Sequence, residues 1–271
     1  MRLNKKKIKY VIIMLLGASI FIFSILLANE SDKNAILTSS IIENKKIGWG
    51  IKRNNNHEQP DVGSKNREVL ENNNGICLGN KEKKILYLTF DEGYEAGYTS
   101  KILKTLKENQ VKATFFITAH YLNTQADLVK QMIEEGHIVG NHTVNHKSMP
   151  DLSEKELKKE IMDLHNSIYE KFNYEMKYIR PPKGEFSEKT LKITSTLGYK
   201  TVMWSFAYED WNENKQLNEE KAKEKIINNL HNGAIILLHG NSKTNTNILD
   251  TVIKEAKKMG YEFKSLEEFE K

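Results

Sequence analysis

Ile85-Leu86-Tyr87-Leu88-Thr89-Phe90 runs without a break into Asp91-Glu92-Gly93-Tyr94. The first six residues are aliphatic, β-branched or aromatic, as in a strand buried on both faces. Two acids and a glycine leave its carboxyl end. The pattern returns downstream at Ala113–Thr118, His137–Val139, Tyr178–Arg180, Lys200–Ser205 and Ala234–Leu238, with a last run at Tyr261–Lys264. Amphipathic stretches lie between these runs. The clearest sets Leu157, Ile161, Leu164, Ile168 and Phe172 at helical spacing behind Ser153 and Glu156, which form a capping box. Strict alternation predicts a parallel sheet with crossover helices. Its size suits a small, incomplete (β/α) barrel better than a full eightfold one, with an open doubly wound sheet as the alternative. No glycine-rich phosphate loop follows the first strand, which argues against a nucleotide fold.

The alternation begins only near residue 83. Residues 1–28 open with Arg2, Lys5, Lys6, Lys7 and Lys9 and continue into an apolar run over 11–28. A basic flank before an apolar run is the pattern of a secretory signal. Leu26-Leu27-Ala28 makes a poor cleavage site, so the run reads as a transmembrane signal anchor that leaves the remainder outside the membrane. Residues 29–82, with Asn54-Asn55-Asn56 and Asn72-Asn73-Asn74, read as a polar extracytoplasmic linker, docked at most around Ile47–Ile51. Residues 83–271 form the predicted catalytic domain. The single cysteine, Cys77, excludes an intramolecular disulfide, so stability must come from the core. The net charge of +5 is small and partly belongs to the basic flank, and no basic stripe is interleaved with aromatics. Nucleic-acid binding is therefore not expected.

Parallel β/α folds assemble their sites at the carboxyl ends of the strands. Asp91 and Glu92 follow the first predicted strand, and Asn141, His142 and His146 follow the third. Arg180 ends the fourth, Asp210 and Trp211 lie after the fifth, and His239 ends the sixth. All of them converge on one rim. His142 and His146, at i and i+4, share a face of a helical turn, and with Glu92 or Asp91 they form a site for one divalent metal ion, zinc foremost. Hydrolysis there needs a base for the attacking water and an acid for the leaving group. Adjacent acids on an extended backbone point in opposite directions, so Asp91 and Glu92 have different roles. His239, a polar residue closing an apolar run, suits the general acid. Arg180, stiffened by Pro181, orients an acid or makes a structural salt bridge. Asp210 holds and charges His239 or caps a loop.

With these residues assembled, the chain resembles the NodB-type polysaccharide deacetylases, carbohydrate esterase family 4, over about 84–271. Thr89-Phe90-Asp91-Glu92-Gly93-Tyr94, Asn141-His142-Thr143 with His146, Arg180-Pro181-Pro182 with Gly184, Asp210-Trp211 and Leu237-Leu238-His239 match the family's motifs in order. Arg180-Pro181-Pro182-Lys183-Gly184-Glu185-Phe186-Ser187 and Trp204-Ser205-Phe206-Ala207 look most like its PdaA-like branch, the delta-lactam-forming peptidoglycan N-acetylmuramic acid deacetylases. The resemblance implies a distorted (β/α) barrel, a peptidoglycan substrate and, through muramic lactam, a place in spore cortex. It implies Asp91 as general base and His239 as general acid, with Arg180 positioning Asp91 and Asp210 tuning His239. Glu92, His142 and His146 become the metal ligands. The Tyr94 backbone N–H serves the oxyanion, and Trp211 and Leu237 line the acetyl pocket. Glu92 stands where most members carry a second Asp. Two rivals share the machinery or the fold: an N-acetylglucosamine deacetylase, and a wall-binding pseudoenzyme.

Overall fold

The computed structural model describes residues 43–269. The predicted signal anchor at 11–28 lies outside the described residues. Among those described, no helix is long and apolar enough to cross a membrane.

The strands are β1 (Ile47–Gly48), β2 (Gly75–Ile76), β3 (Ile85–Glu92), β4 (Thr114–Ile117), β5 (Ile138–Asn141), β6 (Tyr178–Ile179), β7 (Glu185–Phe186), β8 (Lys200–Val202), β9 (Ala234–His239) and β10 (Glu262–Phe263). The eight-stranded sheet runs β10-β3-β4-β5-β6-β8-β2, with β9 also paired to β3, and its strand pairs are parallel. An isolated bridge between Phe206 and Ile236 brings the end of β8 back to β9. The sheet therefore curls into an incomplete (β/α) barrel, as the alternation predicts.

Residue alternation along β3 sorts the core into two layers. Ile85 and Tyr87 point inward and pack with Phe116, Tyr178, Val202, Ile235 and Leu266. Leu86, Leu88 and Phe90 point outward, into the layer that contains Ile102, Leu106, Leu249 and Ile253 from the helices. The longest helix, α5 (Glu154–Phe172), begins at the expected Ser153–Glu156 capping box and buries Leu157, Ile161, Leu164 and Ile168. It stops at Asn173, whose backbone is left-handed (φ 51°).

The linker reading of 29–82 is corrected over its described part. Residues from Glu43 onward belong to the same compact unit as the barrel. Strand β1 pairs with β7, a helix spans Ser64–Asn72, and β2 joins the main sheet beside β8. Trp49, Val62, Leu70 and Cys77 form a third apolar cluster with Phe186, Leu191 and Met203. These apolar residues fall singly or in runs of two or three between polar stretches, so no sustained periodicity announces them.

Candidate active site

A cavity of about 1130 Å³ opens at the carboxyl ends of the strands. Asp91, Tyr94, His142, His146, Trp211, Leu237 and His239 line it, whereas Arg180 and Asp210 stand behind the lining. The structure thus brings nine of the ten expected residues to one place, two of them as supports.

Arg180 is fully buried and organises one side. Its guanidinium lies 4.2 Å from the Phe116 ring centroid. Nη1 donates to Asp91 Oδ1 at 2.7 Å, Nη2 to Thr89 Oγ1 at 2.9 Å and Nε to the Val202 carbonyl at 3.2 Å. The Arg180 carbonyl meets His142 Nδ1 at 2.8 Å, so one residue fixes both a carboxylate and an imidazole. Burial alone would raise the Asp91 pKa, but Arg180, with help from His142 and His239, outweighs it and brings the pKa below the ordinary value.

Asp210, buried, organises the other side. Its Oδ1 accepts from His239 Nδ1 at 2.7 Å and its Oδ2 from the His239 backbone N–H at 2.9 Å. Asn245 Nδ2 donates to the same Oδ2. With Nδ1 committed to the carboxylate, Nε2 is the His239 nitrogen free to exchange a proton with a substrate. Burial alone would lower the His239 pKa. The hydrogen bond and charge of Asp210, with Asp91, reverse that, and the net shift is upward.

His142 and His146 meet, but not on a helix. Residues 142–148 form a loop in which Thr143 (φ 67°) and His146 (φ 54°) take left-handed backbone. The expectation of a helical turn is corrected: the two rings, with centroids 4.7 Å apart, meet across a loop. Glu160 of α5 clamps the loop, its carboxylate accepting from the Asn145 backbone N–H at 2.7 Å and from Asn145 Nδ2 at 2.6 Å.

The two Nε2 atoms lie 3.1 Å apart, with Asp91 Oδ2 at 3.5 Å from that of His142. Nitrogens that each ligate one zinc ion at about 2.1 Å stand no more than about 4.2 Å apart, so the pair fits one shared cation. Burial pushes the His142 pKa down to about 4 and lowers that of His146, which keeps their lone pairs available at neutral pH. The two imidazoles thus offer a pair of nitrogen donors to one divalent cation, with Asp91 Oδ2 left free beside them, although among the described residues no group of three or more His, Cys, Asp or Glu side chains is arranged to hold a metal ion.

Glu92 does not join them. It follows Asp91 on the strand and faces the outer layer, where a Cβ on Gly240 would fall 1.9 Å from Glu92 Oε1. Among the described residues, neither of its buried carboxylate oxygens finds a hydrogen-bond partner. Burial, with the charges of Glu95 and Asp91 added, raises its pKa well above the usual carboxylate range. The metal-ligand expectation for Glu92 is corrected by that orientation.

Tyr94 and Trp211 are about half exposed, at 47% and 51%, and form an open aromatic edge. The Trp211 ring lies 5.6 Å from that of His239. The Tyr94 backbone N–H is not engaged by a backbone carbonyl among the described residues. The sequence reading missed Asn241, whose Nδ2 donates to the Tyr94 hydroxyl at 2.8 Å and to the Trp211 carbonyl at 2.9 Å. It also missed Thr118, Val144, Asn145 and Lys183 on the wall. The motifs assign these positions no role, although Lys183 lies inside the Arg180–Ser187 run and Gly240-Asn241 follows His239 directly.

Comparison with known proteins places this geometry. The polysaccharide deacetylase family profile matches residues 78–202. The chain is 42% identical to the Bacillus subtilis peptidoglycan-N-acetylmuramic acid deacetylase PdaA, over 85% of this chain and 89% of that one. It is 34% identical to a Bacillus cereus peptidoglycan-N-acetylglucosamine deacetylase, over 69% of this chain and 88% of that one. The solved structure of B. subtilis PdaA, a family 4 carbohydrate esterase, superposes with a TM-score of 0.82 at 41% identity, covering 84% of this chain and 98% of that one. The chain belongs to the polysaccharide deacetylases, the family 4 carbohydrate esterases.

Proposed function

We propose that this protein removes the acetyl group from N-acetylmuramic acid residues of peptidoglycan. The observation that carries the reading is the pairing across one cavity of Asp91, held by Arg180, with His239, held by Asp210. The 42% identity to a muramic acid deacetylase over nearly the whole of both chains supports the choice of sugar.

The base and acid are set by their supports. Asp91 is ionised at neutral pH and its Oδ2 takes the proton from the attacking water. His142 and His146 would hold a divalent cation, which would supply Lewis-acid polarisation of the acetamide carbonyl and a more acidic water. The Tyr94 N–H faces the developing oxyanion. His239, protonated and oriented by Asp210, gives its Nε2 proton to the departing amine as the C–N bond breaks. Leu237 and Trp211 receive the acetyl methyl. The freed C2 amine lies beside the C3 lactyl carboxyl, and loss of water between them closes a six-membered delta-lactam of the spore-cortex type. The basic flank and apolar run at the N-terminus support a membrane anchor with the catalytic domain outside.

Mass spectrometry of glycan strands incubated with the full chain and zinc tests the proposal. Acetyl loss on muramic residues of peptide-free strands, followed by loss of water, is the expected result. Loss on glucosamine alone would transfer the protein to the N-acetylglucosamine deacetylases. No loss with any divalent metal would make it a pseudoenzyme.

A further inference from the structure

Lys183 is the one lysine or arginine among the described residues that line the cavity. It sits between Pro182 and Gly184 with a left-handed backbone (φ 60°, ψ 6°), a conformation that lysine takes at a cost and glycine or asparagine takes readily. The turn is held from both sides. The Gly184 carbonyl accepts from the Trp49 N–H at 2.8 Å, and a Cβ on Gly184 would fall 2.7 Å from the Trp204 ring. The side chain is exposed and makes no hydrogen bond or ion pair among the described residues. Its charge is felt at His146, Asp151 and Glu185. Both of those carboxylates are already taken by Lys46, at 2.6 and 3.4 Å. An unpaired ammonium therefore stands, on a held turn, at the wall of a cavity whose one lining carboxylate among the described residues, Asp91, belongs to Arg180.

Muramic acid differs from glucosamine by one group, the lactyl ether at C3, next to the acetamide at C2. That group ends in a carboxylate only when no stem peptide is attached. We propose that Lys183 binds the free lactyl carboxylate of a peptide-stripped muramic acid residue and so selects muramic over glucosamine. The inference rests on the function proposed above. An amide at the lactyl group offers Lys183 no negative charge.

The test compares two peptide-free strands, one with free lactyl carboxylates and one with the carboxylates converted to methylamides. The full chain and its Lys183→Gln and Lys183→Arg forms are assayed for acetyl release from muramic residues. The wild type is expected to favour the carboxylate strand about tenfold in kcat/KM at low salt, as suits one charge-assisted contact. The preference should shrink as salt is added. Lys183→Gln, polar, uncharged and one atom shorter, should bring the ratio near one, and Lys183→Arg should keep most of it. An equal ratio in the wild type and Lys183→Gln overturns the inference and leaves the proposed function standing. Acetyl release by the wild type from glucosamine but from neither muramic strand overturns both.

Discussion

Asp91 and His239 are register partners on the neighbouring parallel strands β3 and β9, so their side chains leave the sheet on the same side. Each is backed by an opposite charge from a further element, Arg180 after β6 and Asp210 in the loop after β8. The two supports drive the pKa values apart, Asp91 downward and His239 upward. Between these limits the carboxylate is ionised and the imidazole protonated, the states a base and an acid require.

Asp91→Asn should abolish turnover, with kcat falling by at least about 10³-fold. The chain should still fold, although Arg180 loses its counter-charge in a buried position and stability falls by a few kcal/mol. Acetyl-release kinetics and thermal melting followed by circular dichroism check the two parts. Unchanged turnover would remove Asp91 from the base role.

Asp210→Asn should move the alkaline limb of the pH–rate profile to lower pH. Asp210 raises the His239 pKa, and the acid is active only while protonated, so its loss makes activity fail sooner as pH rises. Stability carries the same sign. A folded pKa above the unfolded value of about 6.5 contributes stability below that pH, and the contribution disappears as pH rises through the folded pKa. The variant's deficit in melting temperature should thus be largest on the acid side of neutrality. An alkaline limb that stays in place would separate Asp210 from the titration of His239.

Glu92→Gln should leave zinc affinity within about threefold of the wild type, whereas His142→Ala should lower it by well over tenfold. Glu92 faces Gly240 in the outer layer, while the His142 and His146 nitrogens face each other at 3.1 Å. Calorimetric zinc titration decides the matter without reference to activity. A large loss in Glu92→Gln would return that carboxylate to the ligand set.

The strands were legible because each is a nearly continuous apolar run, and the rim followed because polar residues end those runs. Glu92 departs from the motif's expectation because strand alternation turns it away from Asp91, into the outer layer. His142 and His146 illustrate the opposite limit. An i, i+4 spacing suits a helix, yet Thr143 and His146 in left-handed backbone bring the rings together in a loop. Glu160 and Asn241 act through where the fold puts them, with no pattern around them to read, and Lys183, though inside the Arg180–Ser187 run, shows its place on the cavity wall only in the fold. The segment from Glu43 was missed because strands of two residues carry no period.

Trp49→Ala tests whether that segment supports the site. Trp49 is 9% exposed, packs on Phe186, and donates from its indole nitrogen to the Trp204 carbonyl at 2.8 Å. Its backbone also holds Gly184, next to Lys183. Truncation should cost about 3 kcal/mol through the void it leaves and the unpaired carbonyl. The loop over Pro182–Gly184 borders the cavity but carries neither Asp91 nor His239, so KM should rise more than kcat falls. Denaturant unfolding and steady-state kinetics measure both effects. A stable variant with unaltered KM would show that β1 merely rests on the barrel.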